Sequence, residues 1–327
     1  MNNQTDFFRG KNILVTGGAG FVGTNLIKRL CDLGAQVRAT IHQNPPQITR
    51  NPQVKFFLGD LRDSSFAQQM VTGIDHVFMC AANTSGASVI EKTPLVHVTP
   101  NVIMNVLMLE AAYAAKVKKF LFVSSNAVYP LTDHPVSETE MEFGNLFPKY
   151  FFAGWMKQFG EVLCEMYGTR VKNPMPIVVV RPANLYGPYD DFEPETSHMP
   201  AATIRKAVER HDPIAVWGDG TDVKDLLYVE DLVEGMLLAM EKIEGFEVLN
   251  IASGVPVTTN DVLRTAIEAE GYDPRIVFDT TKPAMIPRRL IDTRKATERI
   301  GFAARTSLPE GVRRTMEWYK KHFAPRA

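Results

Sequence analysis

The feature that most constrains this chain is a short apolar strand that runs into a glycine-rich loop and then into an amphipathic helix. The strand covers residues 12–16, the loop carries Gly17, Gly20 and Gly23, and the helix covers residues 21–33. Glycine is needed where a tight turn brings the backbone close to a pyrophosphate, and the free N–H groups at the helix N-terminus attract that anion. The sequence therefore predicts a dinucleotide site at the start of the chain.

Strands alternate with helices over the first half of the chain. A long helix is expected at 101–115, and apolar runs predict strands at residues 12–16, 36–41, 54–58, 76–80, 119–124 and 177–180. This alternation predicts an α/β fold: a Rossmann-type doubly wound parallel sheet with a smaller C-terminal α/β substrate-binding lobe. We expect a dinucleotide-binding domain over 1–180 and a nucleotide-sugar-binding lobe over 181–327, partly interleaved with it.

Composition argues against several classes of function. The net charge of −1 over 327 residues gives no reason to expect a nucleic-acid or anionic-membrane partner. We find no stretch near the ~20 apolar residues that span a bilayer, and no signal-peptide core, so a cytoplasmic protein is expected. Cys31, Cys80 and Cys164 have apolar neighbours and are expected to be packing thiols. No metal site is predicted.

The carboxyl ends of the later strands offer further cofactor-binding residues. A carboxylate that binds a ribose 2′-hydroxyl is usual about 20 residues after such a loop, but residues 38–42 contain none. Arg38 or His42 would instead help to bind a 2′-phosphate, which favours NADP over NAD, although Arg38 is equally consistent with a solvated strand residue. The cofactor-binding residues expected up to this point are Gly17, Gly20, Phe21, Val22, Gly23, Arg38, His42, Asp60, Leu61, Ala81 and Ala82.

Several later motifs carry a family resemblance. They are Ser-Ser-Asn-Ala-Val-Tyr at 124–129, Gly154-Trp155 with Lys157, Arg-Pro-Ala-Asn-Leu-Tyr-Gly-Pro at 181–188, Thr-Ser-His at 196–198, Trp-Gly-Asp-Gly at 217–220, Tyr-Val-Glu-Asp at 228–231, and Lys282-Pro283 through 287–292. With the glycine loop, they make the chain similar to the extended short-chain dehydrogenases/reductases of the NAD-dependent epimerase/dehydratase family, over nearly its whole length. Within that family the motifs resemble GDP-L-fucose synthases and nucleotide-sugar 4-epimerases.

The resemblance implies a catalytic centre with one conspicuous departure. Ser125 matches the family's catalytic Ser or Thr, and Lys157 matches the lysine that binds the nicotinamide ribose and lowers the pKa of a catalytic phenol. The tyrosine that carries this phenol belongs four residues before Lys157, where this chain has Ala153. Pro182 is expected beside the cofactor. The helices beginning near residues 101 and 153 are expected to form a homodimer.

The second lobe is expected to bind a nucleotide-diphosphate sugar, with GDP as the favoured nucleotide. The predicted substrate-binding residues are Ser125, Asn126, Asn184, His198, Lys224 and Arg288. Asn126-Ala127 replaces the Asp-Glu pair of the family's dehydratases, which argues against 4,6-dehydration. Ala127 also replaces the cysteine that fucose synthases use for inversion. Lys224 replaces an arginine, keeping the charge but losing bidentate geometry.

These residues favour an epimerase acting at the sugar C4 through a transient 4-keto sugar with bound nicotinamide cofactor. An NADPH-dependent reductase of a 4-keto-6-deoxy nucleotide sugar is the alternative enzyme. A catalytically silent nucleotide-sugar or redox binding protein is the alternative from another class. Ala153 itself is consistent with either a natural replacement or an engineered substitution.

Overall fold

The computed structural model describes residues 4–48, 51–83, 93, 95–281 and 286–323. The strands are β1 (Asn12–Thr16), β2 (Gln36–Ile41), β3 (Val54–Leu58), β4 (His76–Met79), β5 (Lys119–Val123), β6 (Ile177–Pro182), β7 (Asn184–Tyr186), β8 (Ile214–Trp217), β9 (Val223–Tyr228), β10 (Phe246–Ile251), β11 (Pro256–Thr258), β12 (Ile276–Asp279) and β13 (Arg288–Arg289). The α-helices are α1 (Gln4–Phe8), α2 (Phe21–Asp32), α3 (Ser64–Val71), α4 (Leu95–Ala114), α5 (Phe151–Glu165), α6 (Met199–Val208), α7 (Val229–Lys242), α8 (Thr259–Glu270), α9 (Arg294–Ile300) and α10 (Leu308–Phe323).

The main sheet is parallel, with the strand order β10-β6-β5-β4-β1-β2-β3. Its central strands are buried because helices cover both faces, as apolar runs without polar alternation predict. The α/β Rossmann-type fold and its first six strands are confirmed, with ends that differ from prediction by at most a residue or two. The seventh strand, β10, comes from the second half of the chain and pairs with β6. The domain limits at residue 180 stay a prediction.

Helix α4 begins at Leu95, earlier than predicted, and runs through Pro100. A proline leaves the carbonyl four residues before it without its helical partner. Here the carbonyl of Val96 accepts a hydrogen bond from the Asn83 side chain at 3.0 Å, which offsets the loss. By length and composition α4 could span a bilayer, contrary to the sequence expectation, but it packs on the sheet beside α3 and α5.

The second lobe is built from shorter elements. β9 lies between β11 and β13 and also pairs with β7, while β8 and β12 form a separate parallel pair. Helices α6, α8 and α10 pack around a core that includes Tyr186, Tyr228 and Val312. Because β7 directly follows β6, the carboxyl end of the main sheet opens onto this lobe.

Candidate active site

The glycine loop between β1 and α2 has the shape of a backbone cradle. Gly17 has a φ of +69°, and a Cβ there would lie 2.8 Å from the Cα of Ala81 at the end of β4. A Cβ on Gly23 would lie 2.2 Å from the carbonyl oxygen of Gly17. Gly20 is the N-cap of α2, so Phe21 and Val22 open the helix, and its first turn holds no acidic residue. The residues present therefore fit a dinucleotide pyrophosphate at this helix N-terminus.

The ends of β1 and β4 are joined beside this loop by one hydroxyl. Thr16 Oγ1 accepts hydrogen bonds from the backbone N–H groups of Cys80 and Ala81, at 3.0 and 2.9 Å. Ala81 is half-buried and Ala82 is exposed, so small side chains border the cradle as the sequence predicts. Residues 84–92, which follow, lie outside the described residues.

Arg38 does not point to the cofactor edge, which corrects its assignment as a phosphate-binding residue. Its Nη1 donates to the carbonyl oxygens of Met70 and Thr72, both at 2.9 Å, and its guanidinium lies 5.6 Å from the centre of the Phe57 ring. Arg38 therefore caps the C-terminal end of α3. The sequence could not reveal this, because the contact depends on how α3 docks against β2.

His42 and Asp60 meet where β2 and β3 end, as a shared adenosine site requires. His42 Nε2 lies 3.6 Å from Asp60 Oδ2. Arg62 Nε donates to both oxygens of Asp60 at 3.0 and 2.9 Å, and these bonds hold the pKa of that carboxyl down at about 2. The Leu61 side chain is buried in the core, so only its backbone remains for a cofactor. Sequence reasoning missed Arg62.

The predicted catalytic residues come together at the end of β5. Lys157 Nζ donates to the carbonyl oxygen of Val123 at 2.7 Å, and burial lowers the pKa of this ammonium to about 8. Ser125 Oγ accepts from the N–H of Ala127 at 3.1 Å. A Cβ on Gly154 would lie 2.6 Å from the Ala127 carbonyl oxygen, so α5 packs tightly on the Ser125 turn. Ala153, half-buried on α5, adds no proton-transfer group.

A buried network of charged and polar side chains lies next to Ser125 and Lys157 along β5 and α5. Glu161 on α5 pairs with Arg181 on β6 at 2.5 Å, and both are nearly inaccessible to solvent. Ser124 Oγ donates to Glu161, while Arg181 Nη1 donates to Tyr129 Oη at 2.9 Å. Tyr129 in turn donates to Asn250 Oδ1 on β10 at 2.5 Å. Although Arg181 belongs to a motif noted in the sequence, nothing there indicated that it pairs with Glu161.

Tyr150 is the phenol that lies nearest to Ala153 along the chain. The chain has nine tyrosines, all in the described residues, and the others pack elsewhere: Tyr113, Tyr129, Tyr167, Tyr186, Tyr189, Tyr228, Tyr272 and Tyr319. Burial raises the pKa of Tyr150, and the charge of Asp222 raises it further. Tyr129 cannot replace the missing group, since burial also raises its pKa strongly.

The predicted substrate residues lie in two places: Asn126 and Asn184 are beside the Ser125 turn, and Lys224 and His198 are in the second lobe. Asn126 Nδ2 donates to the Pro182 carbonyl at 3.1 Å and to Asn184 Oδ1 at 3.2 Å, which ties the Ser125 turn to the start of β7. Lys224 Nζ on β9 lies 3.6 Å from Asp222, and burial lowers its pKa. His198 stands exposed at the residue before α6.

Neighbouring arginines on β13 face opposite ways. Arg288 is exposed, as a substrate-binding cation should be, and pairs in register with Val223, next to Lys224. Arg289 is buried and donates to the carbonyl oxygens of Pro130 and Tyr129, at 2.7 and 3.1 Å. The predicted Lys282-Pro283 motif lies outside the described residues. Within the described ranges no group of three or more His, Cys, Asp or Glu side chains could hold a metal ion.

Comparison with known proteins gives this geometry a context. Residues 13–252 match the family model described as the NAD dependent epimerase/dehydratase family. A putative GDP-L-fucose synthase 2 from Arabidopsis thaliana is 30% identical over 316 residues, covering 95% of this chain and 92% of that protein. The UDP-glucose 4-epimerase of Thermotoga maritima, solved with UDP-glucose, is 28% identical with a TM-score of 0.85, covering 95% of this chain and 99% of that one. The Thermus thermophilus UDP-glucose 4-epimerase, solved with NAD, is 25% identical with a TM-score of 0.82 and the same coverage.

Proposed function

The chain belongs to the NAD dependent epimerase/dehydratase family, and from that premise we propose that it is a nucleotide-sugar C4 epimerase acting through a transient 4-keto sugar. The observation that carries the proposal is that Lys157 binds the last carbonyl of β5, two residues before Ser125, in the same sheet as an intact dinucleotide cradle. A bound nicotinamide would supply reversible hydride acceptance. The members named above are nucleotide-sugar enzymes.

The chain's own residues have distinct tasks in this mechanism. The Ser125 hydroxyl donates a hydrogen bond to the C4 oxygen of the sugar. Lys157, held against the Val123 carbonyl, binds the nicotinamide ribose through its remaining N–H groups. Ala153 moves no proton, so the C4 hydroxyl must give its proton to water or to a group that reaches the sugar from elsewhere. Turnover is therefore slow.

The substrate we propose is a nucleoside diphosphate sugar, with a GDP-sugar favoured by the similarity to fucose synthases. Lys224 on β9 supplies a cation to the diphosphate, whereas Arg288 on β13 pairs in register with Val223, so its side chain leaves the opposite face of the sheet from Lys224. The linked amides of Asn126 and Asn184, next to Ser125 in the chain and at the start of β7, would bind sugar hydroxyls.

Two other functions have an observation in their favour. A reductase of a 4-keto-6-deoxy nucleotide sugar is favoured by the fucose synthase relatives, and it differs by consuming reduced cofactor. A silent nucleotide-sugar or redox binding protein is favoured by Ala153, because the cradle and cleft persist without the phenol. It would bind both ligands with no turnover.

We further propose a homodimer formed by α4 and α5. Among the residues that the structure describes, these neighbouring helices expose large apolar side chains, and the most exposed are Leu95, Val96, Ile103, Phe151, Phe152 and Val162. Burying such a patch on a second copy is favourable by about 25 cal/mol per Å². Phe152→Asp should give a monomer by light scattering, whereas Phe323→Asp, on α10, should leave the dimer intact. A wild-type monomer at micromolar concentration would refute the dimer.

The test of function is a panel of GDP- and UDP-sugars, each incubated with the protein and NAD⁺ or NADP⁺. We expect slow appearance of a C4 epimer by anion-exchange chromatography and NMR, with no net change in nicotinamide absorbance. Ser125→Ala should lower the rate further, whereas Ser307→Ala, at the start of α10, should not. Net oxidation of reduced cofactor with a 4-keto substrate would favour the reductase, and binding without turnover would favour the silent protein.

A further inference from the structure

We propose that Arg62, together with His42, selects NADP(H) over NAD(H) by binding the 2′-phosphate of the adenosine ribose. The inference rests on the proposed function only in taking the glycine loop to be a dinucleotide site. It replaces the sequence assignment of Arg38 and adds a residue that sequence reasoning did not identify.

The glycine loop is joined to the end of β2, where His42 follows. Gly18 N donates to the carbonyl oxygen of Thr40 at 2.8 Å, and Gly17 N donates to Thr40 Oγ1 at 3.2 Å. The loop backbone is thus fixed to the end of β2. His42 follows this end directly, and its imidazole lies 3.6 Å from Asp60, beyond the end of β3. A dinucleotide held by the loop places its adenosine at this edge.

The charge at this edge is low. Strand β2 contains no acidic residue, and the carboxylate that pairs with His42 is Asp60, at 3.6 Å. An unpaired carboxylate would repel a 2′-phosphate. Arg62 counters this by donating two bonds from Nε at 3.0 and 2.9 Å and one from Nη2 at 2.5 Å to Asp60. The Asp60–Arg62 pair is close to neutral, and the His42 imidazole beside it adds no negative charge.

Arg62 keeps hydrogen-bond donors after pairing with Asp60. The bonds to Asp60 use Nε and Nη2 of Arg62 and leave Nη1, with its two hydrogens, directed elsewhere. The side chain is 47% exposed, so Nη1 is accessible to a ligand. Asp60 fixes the guanidinium plane, which reduces the entropy lost when a phosphate binds.

Arg38 on β2, which pairs in register with Lys55 on β3, is engaged at the end of α3. Its Nη1 is already shared among the carbonyl oxygens of Gln69, Met70 and Thr72, at 3.3, 2.9 and 2.9 Å. If the Arg38 side chain turned toward the adenosine edge, the carbonyl oxygens at the end of α3 would lose these hydrogen bonds. Arg38 is therefore not available to a 2′-phosphate bound by Arg62 and His42.

The experiment measures cofactor binding without turnover. Fluorescence titration gives dissociation constants for NADPH and NADH in wild type, Arg62→Ala, Arg62→Lys and His42→Ala. Arg62→Ala should weaken NADPH about 10- to 100-fold, the worth of a charge-assisted hydrogen bond, and change NADH by less than about 3-fold. His42→Ala should have a smaller effect of the same kind. Arg62→Lys should recover part of the NADPH affinity.

The chain offers a matched control in Arg294. It pairs with Asp292 two residues earlier through the same three kinds of bond, at 3.1, 2.9 and 2.6 Å, but lies on α9. Arg294→Ala should leave the NADPH to NADH affinity ratio unchanged. Adenosine 2′,5′-bisphosphate, tested against 5′-AMP, should reproduce the Arg62 effect without a nicotinamide.

The outcomes separate this inference from the proposed function. Equal losses of NADPH and NADH affinity in Arg62→Ala, or an unchanged ratio, would overturn the inference and leave the dinucleotide site standing. Failure of wild type to bind either cofactor would overturn both. Thermal melting of each variant checks that it is folded. We expect the Arg62 variants to fold, because the Arg62 side chain is largely exposed.

Discussion

The sharpest functional prediction concerns the substitution Ala153→Tyr. Ala153 lies four residues before Lys157 on α5, so the two side chains share a face of the helix. Lys157 Nζ is held by the Val123 carbonyl and lies 5.1 Å from the centre of the Phe122 ring. A phenol introduced at residue 153 would therefore face a fixed, partly desolvated cation.

The size of the effect follows from this spacing. Residues four apart on a helix are separated by about 6 Å. Opposite unit charges at that distance attract by about 2.8 kcal/mol at an effective dielectric constant of ~20. This lowers the phenol pKa by about two units, from ~10 to ~8. A positioned general acid–base group near the working pH is worth about 10²–10⁴ in rate, or roughly 3–5 kcal/mol of barrier.

The assay compares kcat and KM at pH 8 for wild type, Ala153→Tyr and Ala153→Phe, on the sugar nucleotide found by the panel. Ala153→Tyr should raise kcat by that factor and change KM little, while Ala153→Phe, which adds the ring without the hydroxyl, should not. In Ala153→Tyr/Lys157→Met most of the gain should disappear. Equal turnover in all these proteins would refute the reasoning, and Tyr150→Phe would then be the next variant to measure.

Further predictions concern stability and the cradle. Burial lowers the pKa of His76 from 6.5 to about 4, so stability is complete above pH 6.5 and falls as the pH drops toward 4. The free energy of unfolding, measured with urea, should fall by about 2 kcal/mol between pH 7 and pH 5 in wild type but not in His76→Phe. The same pH dependence in both proteins would contradict this prediction. Arg181→Met should lower the free energy of unfolding by about 3–5 kcal/mol, because it leaves the buried Glu161 carboxylate unpaired. The double variant Glu161→Gln/Arg181→Met should lose less stability, and equal losses would argue against an unpaired buried charge. Gly23→Ala should abolish cofactor binding by calorimetry, because its Cβ would strike Gly17, and normal affinity would reject the cradle.

Much of the first lobe could be predicted because its signals are local. Strands such as β1 and β6 are unbroken apolar runs, and Gly17 and Gly23 stand where a side chain would collide with backbone. β10 could not be predicted, because its place beside β6 depends on the chain returning to the main sheet after β9 and α7, which no local pattern encodes.

The site was harder to predict where function depends on tertiary partners. Arg38 has the charge to bind a phosphate, but the docking of α3 gives it three backbone acceptors instead. Tyr129 belongs to a recognisable motif, yet its hydroxyl is committed to Arg181 and Asn250 on two other strands. The residue type at these positions shows which groups could bind a ligand. Whether those groups are free or already hydrogen-bonded depends on tertiary packing, which the sequence does not show.

The proposed epimerase chemistry is tested most directly by tracing hydride at the sugar C4. The protein, and in parallel its Ala153→Tyr variant, is incubated with a nucleotide sugar deuterated at C4 and with oxidised cofactor, and the product is analysed by NMR. The account predicts a C4 epimer that keeps its deuterium at C4, with no accumulation of reduced nicotinamide. Loss of deuterium to water, or net transfer of it to the cofactor without an epimer, would contradict the account.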